Sequence, residues 1–95
     1  MAAYVIADVE ITDPEKYKEY TAQTPDSIAS HGGRFVVRGG SCQVLEGEWD
    51  PGRVVVIEFP DLDAALGWFH SDDYQELAQI RRSASTARIL VVEGA

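Results

Sequence analysis

Residues 32–40 read GGRFVVRGG, a short run with an apolar centre closed at each end by two glycines. Gly32-Gly33 and Gly39-Gly40 supply turns in backbone conformations that other residues enter reluctantly. Arg34–Arg38 is therefore expected to be a strand bracketed by chain reversals. Side chains on a strand alternate between its two faces, so Arg34, Val36 and Arg38 share one face and Phe35 and Val37 take the other. Two arginines on one face call either for water or for acids to meet them, and the strands on either side decide between the two.

Upstream, AYVIADVEI (3–11) alternates Val5, Ala7, Val9 and Ile11 with Tyr4, Ile6, Asp8 and Glu10, the period of two that marks a strand. TDPEKYKEY then opens a helix: Asp13 caps it, Pro14 suits its first position, and Glu15 sits at the positive end of its dipole. Pro25 lacks the amide that a helix interior needs. Thr24 can cap a further turn through Ile28 that stops at Gly32, which predicts a broken helix over 14–31. Downstream, GGSCQVLEGEWDPG (39–52) is an extended connection in which CQVLE forms a short strand, and RVVVIEF (53–59) is a strand rich in β-branched residues. Pro60 ends it, and Asp61 leads into a helix carrying Ala64, Ala65, Leu66, Trp68 and Phe69. Ser71 caps DDYQELAQIRR, where Tyr74, Leu77, Ala78 and Arg81 recur at helical spacing, and RILVVE (88–93) is the last strand.

Strand, helix, strand, strand, helix, strand is the order of a split β-α-β fold. It predicts an α+β, ferredoxin-like domain whose four-stranded antiparallel sheet runs 4-1-3-2 with helices on one face. Val5, Ala7, Val9, Phe35, Val37, Val55, Ile57, Phe59, Leu90 and Val92 are assigned to the helix-covered face, which then carries no charge. Tyr4, Ile6, Val36, Val54, Val56, Ile89 and Val91 fall on the other face with Asp8, Glu10, Arg34, Arg38, Glu58 and Glu93. So much apolar area is too much for a sheet face left in water. A twofold partner laying the same face against it would bury Ile6, Val36, Val54 and Val56, and the charges would set register. Arg34 would pair with Glu58 across adjacent strands, and Arg38 would reach Asp8 and Glu10.

Ninety-five residues make one domain, with 45% hydrophobic and 25% charged residues and a single cysteine, Cys42. Eight basic against sixteen acidic residues give a net charge of −8, which repels phosphate backbones and anionic membrane surfaces. Neither nucleic acid nor a membrane is an expected partner. VVVI (54–57), a run of large aliphatic residues that no other exceeds, is far too short to span a bilayer, and MAAYVIADVE has no basic segment of a secretion signal. A cytoplasmic protein is expected.

HGGRFVVRGG, VLEGEWDPGRVVVIEFPD and SDDYQELAQIRRSAS stand in the order and spacing of successive blocks of a bacterial family, domain of unknown function 1330, within the dimeric α+β barrel superfamily. The chain resembles that family over nearly its whole length. The resemblance implies a ferredoxin-like monomer whose sheet pairs face to face in a homodimer, and it implies no activity. The wider superfamily includes cofactor-independent monooxygenases, muconolactone isomerase-like enzymes and haem-degrading enzymes, which reach this chain only by analogy of fold.

Cys42 has no histidine beside it in sequence and reads as an incidental thiol. His31 stands at a helix end, where capping is the plain role, and His70 joins two helical segments. No ligand spacing points to a metal, and no cofactor is expected. Tyr17, Tyr20, Trp68, Phe69 and Tyr74 read first as core on helices facing the sheet. Trp49, in the polar loop EGEWDPG, either covers a partner subunit or closes a pocket mouth. Together these predict a homodimer that binds a small organic molecule between sheet and helices. Arg38 supplies charge, and Trp49, Trp68, His70 and Tyr74 supply walls. No catalytic residue is assigned, and the sequence leaves open whether the molecule is transformed. Two alternatives stand beside this reading: a non-catalytic dimeric module in which Arg38 only locks the interface, and a cofactor-free oxygenase or isomerase.

Overall fold

A computed structural model describes all 95 residues. The elements are β1 (Ala3–Ile11), α1 (Pro14–Ala29), β2 (Arg34–Arg38), β3 (Arg53–Phe59), α2 (Leu62–Phe69), α3 (Asp72–Ala84) and β4 (Ser85–Glu93). The sheet is antiparallel throughout in the order β2-β3-β1-β4, the expected α+β ferredoxin-like topology. The caps fall where the sequence places them. Asp13 accepts from the Lys16 amide at 3.1 Å, Asp61 from the Ala64 amide at 2.7 Å and Ser71 from the Tyr74 amide at 3.3 Å. The helices cover the face that carries Val5, Ala7, Val9, Val55, Ile57 and Phe59, all buried, and Trp68, Tyr74 and Ile28 complete the core from the helix side. Each valine, isoleucine or phenylalanine so withdrawn from water contributes about 1.5–3 kcal/mol before entropy is counted.

Several expectations are corrected. α1 is continuous through Pro25 because Tyr20, Thr24, Ser27 and Ile28 are buried on both sides of it, so packing overrides the lost amide. CQVLE forms no strand; residues 40–52 run without regular structure. β4 follows α3 directly and begins at Ser85. Its phase is the reverse of that assigned: Val91 pairs with Val5 and Ile89 with Ala7, so these two face the helices while Leu90 and Val92 stand on the open face.

The correction that matters most lies in β2. Arg34 pairs with Glu58 and Phe35 with Ile57, but Val37 then pairs with Val56 and Arg38 with Val55. The bulge sets Val36 and Val37 together opposite Val56, and both are exposed. Every side chain after it changes face, so Arg38 joins Val55 and Ile57 on the helix side, away from Asp8 and Glu10. Gly39 follows at φ +72 with its amide 2.9 Å from the Val54 carbonyl, a geometry that ends the strand and that residues with a Cβ adopt only under strain.

Candidate functional site

On the helix side of the sheet, between α1 and strands β2 and β3, a narrow cleft of about 30 Å³ opens to solvent. Val5, Ala7 and Val9 of β1 and Val55 and Ile57 of β3 form its floor, and rings of Tyr17, Tyr20, Phe35, Trp68 and Tyr74 form its walls. The rings hold one another: Trp68 and Tyr74 have centroids 4.0 Å apart, Tyr17 and Tyr20 5.4 Å, and Tyr20 meets Tyr74 edge-on at 6.3 Å. Trp68 Nε1 donates to Ser27 Oγ at 3.2 Å, which fixes the indole against α1.

Three guanidinium groups line this cleft and no carboxylate does. Arg38 lies exposed at the rim, its Cζ 4.4 Å from the Phe35 ring centroid, and its Nη2 donates to the Thr21 carbonyl at 3.1 Å. That carbonyl lacks its usual partner because the residue four positions on is Pro25, so Arg38 supplies the donor that the helix is missing. Arg53 is half-buried, with Nη1 3.4 Å from the Tyr17 hydroxyl. Arg81 is only 6% exposed and donates through Nε to the Tyr74 hydroxyl at 3.3 Å. The Tyr74 and Tyr20 hydroxyls share a hydrogen bond of 2.8 Å. Burial, and then the neighbouring Tyr74, push the Tyr20 phenol well above its ordinary pKa, so it stays protonated throughout the neutral range.

The acids are elsewhere. Asp8, on the open sheet face, accepts from Trp49 Nε1 at 3.0 Å, the Gly52 amide at 2.8 Å and Arg88 at 3.3 Å. The Trp49 bond and then the Gly52 bond hold its carboxyl below the usual range. Gly52 is required here, because a Cβ would collide with the Val9 carbonyl. Glu58 takes Tyr4 at 2.9 Å and Arg34 at 2.9 Å, and these two hydrogen bonds lower its pKa in that order.

Among the residues proposed from sequence, the fold brings Arg38, Trp68 and Tyr74 to one cleft. Trp49 does not belong to it: the bond to Asp8 pins the indole to the opposite side of the sheet. His70 does not either, being the exposed C-cap of α2 with its imidazole edge-on to Phe69. Sequence reasoning missed Arg53, Arg81, Tyr17 and Tyr20 as lining residues. Arg81 carried a usable signal, an arginine in the stripe that Tyr74 and Ala78 make at helical spacing. Cys42 is exposed in the connection, His31 Nε2 lies 3.9 Å from Asp73, and no cluster of His, Cys, Asp or Glu has the arrangement of a metal site. No helix is long and apolar enough to cross a membrane.

The model of the family described as Domain of unknown function (DUF1330) matches residues 2–95, and the chain belongs to that family. No curated protein matches. Among solved structures, the RPA0582 protein of unknown function from Rhodopseudomonas palustris is similar with a TM-score of 0.80 at 18% identity, over 99% of this chain and 82% of that one. SnoaB, a cofactor-independent oxygenase from Streptomyces nogalater, is similar with a TM-score of 0.67 at 18% identity, over 99% of this chain and 93% of its own. A protein described as an antibiotic biosynthesis monooxygenase follows at 0.56 and 14% identity, over 100% and 99%. At these identities the likeness is one of fold alone.

Proposed function

We propose that this protein is a cytoplasmic homodimer that binds a small organic molecule in the cleft between α1 and the sheet. One observation carries the reading: aromatic rings and guanidinium groups converge on a single solvent-connected cleft. The cleft is narrow as it stands. A ligand larger than water enters only if the α1 wall and the Arg38 rim part, and the Arg38–Thr21 bond between them involves an exposed side chain that exchanges readily with water. Two structural neighbours are described as an oxygenase and a monooxygenase, which is in keeping with a ligand-binding role and assigns no reaction.

Dimerisation is supported by the open sheet face. Val36, Val37, Leu90 and Val92 are exposed there, beside half-buried Ile6, Val54 and Val56. A second copy covering the face would remove this apolar surface from water.

The ligand reading is tested by blocking the cleft. Thr21 is a half-buried lining residue at the entrance, and Thr21→Trp places a large ring there without burying a charge. A thermal-shift screen of metabolites should find compounds that raise the melting temperature of the native protein and fail to raise that of the variant. Compounds that stabilise both equally would place binding elsewhere and end this reading.

A further inference from the structure

Arg81 is a buried cation without a counter-ion. It is 6% exposed, it lines the cleft, its hydrogen bond is donated by Nε to the Tyr74 hydroxyl, its remaining guanidinium nitrogens have no protein partner and keep a little solvent contact, and no carboxylate lies within ion-pair distance of it. Chains rarely bury a charge in this way, because desolvation is costly unless an opposite charge and hydrogen bonds offset it. The carbonyl end of α3 lends about half an elementary charge, but Arg82 stands in the same turn and shares it. This chain has sixteen acidic residues, none of them in the cleft, while two further guanidinium groups, those of Arg53 and Arg38, mark the way from Arg81 to the rim. Charge of one sign collected in a low-dielectric cleft raises the local concentration of its opposite.

We infer that the cleft takes an organic carboxylate, whose anionic head is received by Arg81 and the Tyr74 hydroxyl while its body lies against the ring of Trp68. This deepens the proposed function and rests on the same cleft. A guanidinium presents its donors as a planar fork that matches a carboxylate. Tyr20, held as a neutral phenol, can donate to Tyr74 and leave the Tyr74 hydroxyl proton free for the incoming anion. Arg38 at the rim exchanges its neutral partner, the Thr21 carbonyl, for the passing charge. The preference is for charge rather than for a particular body, since the walls are apolar rings with few directional groups.

The probes are matched pairs: propionate with propionamide, and benzoate with benzamide. Binding is read by quenching of Trp68 emission in a Trp49→Phe background, which removes the exposed indole. At least one acid of the two pairs should bind about tenfold or more tighter than its amide, since a hydrogen bond to a charged group is worth roughly that ratio. Arg81→Met should lose that preference and keep or raise the melting temperature of the ligand-free protein, because it removes an uncompensated buried charge; Arg81→Lys should retain part of the preference. Amides that bind as well as the acids would overturn the carboxylate class and leave the cleft as a ligand site. No binding of either kind at millimolar concentration would overturn both. Acid binding unchanged in Arg81→Met, or in Thr21→Trp, would place the anion elsewhere and overturn the inference.

Discussion

Arg38 is the residue at which the two roles drawn from GGRFVVRGG separate. An arginine that locked an interface would be consumed by acids, yet the bulge turns Arg38 away from Asp8, and Asp8 is already engaged by Trp49, Gly52 and Arg88. Its partner is a backbone carbonyl at the rim of the cleft. Arg38→Ala is therefore expected to cost about 1 kcal/mol in denaturant melts, the worth of one hydrogen bond, and a loss of about 3 kcal/mol or more would restore the lock. Asp8 makes a second test. Its folded pKa is lowered, first by the Trp49 hydrogen bond and then by the Gly52 amide. Its contribution is thus fully present above the ordinary carboxylate value of about 4 and is lost as pH falls through the folded value. Asp8→Asn should flatten the acid limb of a plot of melting temperature against pH and shift Trp49 emission. Identical limbs in variant and parent would contradict that account.

At the scale of elements, the weak point of α1 and its repair come from different parts of the chain. Pro25 leaves the Thr21 carbonyl without an amide, and Arg38 of β2 supplies the donor. Pro25→Ala should restore the helical bond, and Arg38→Ala should then cost less than it does in the parent. A coupling of about 0.5–1 kcal/mol is expected in the double-mutant cycle, and strict additivity would break the link. The same pair of elements marks where sequence was legible. Caps at Asp13, Asp61 and Ser71, strands with clean alternation such as Ala3–Ile11, and the strand order all follow from local chemistry and chain order. The phase of β4 does not, because Ile89, Leu90, Val91 and Val92 are apolar in either phase, and only pairing with Val5 and Ala7 selects one. Nor does the bulge at Val36–Val37, two valines with identical local preferences. One slipped residue there moved Arg38 from the open face to the cleft. Arg81 and Arg53 were hidden for a related reason: a charge among apolar neighbours shows as a lining residue only once the helix and sheet that enclose it are in place.

At the scale of the molecule, one face of the sheet is closed by helices and the other ends in exposed valines and leucines. Val56 lies at the middle of that open face, between Ile6 and the bulge. Val56→Asp should convert a dimer into a folded monomer in sedimentation, since a charge in an apolar layer between sheets costs several kcal/mol without a partner. Lys16→Asp, on the exposed side of α1, should leave the dimer intact. A parent that sediments as a monomer at micromolar concentration would contradict the pairing. The cleft lies on the far side of the sheet from that face, so under the proposed pairing each copy would keep a whole cleft of its own. The most direct test of this account is a crystal structure of the protein soaked with benzoate. It should place the carboxylate within hydrogen-bonding distance of Arg81 and the ring against Trp68, between α1 and the sheet. A cleft holding only water, with benzoate absent or bound on the open sheet face, would contradict it.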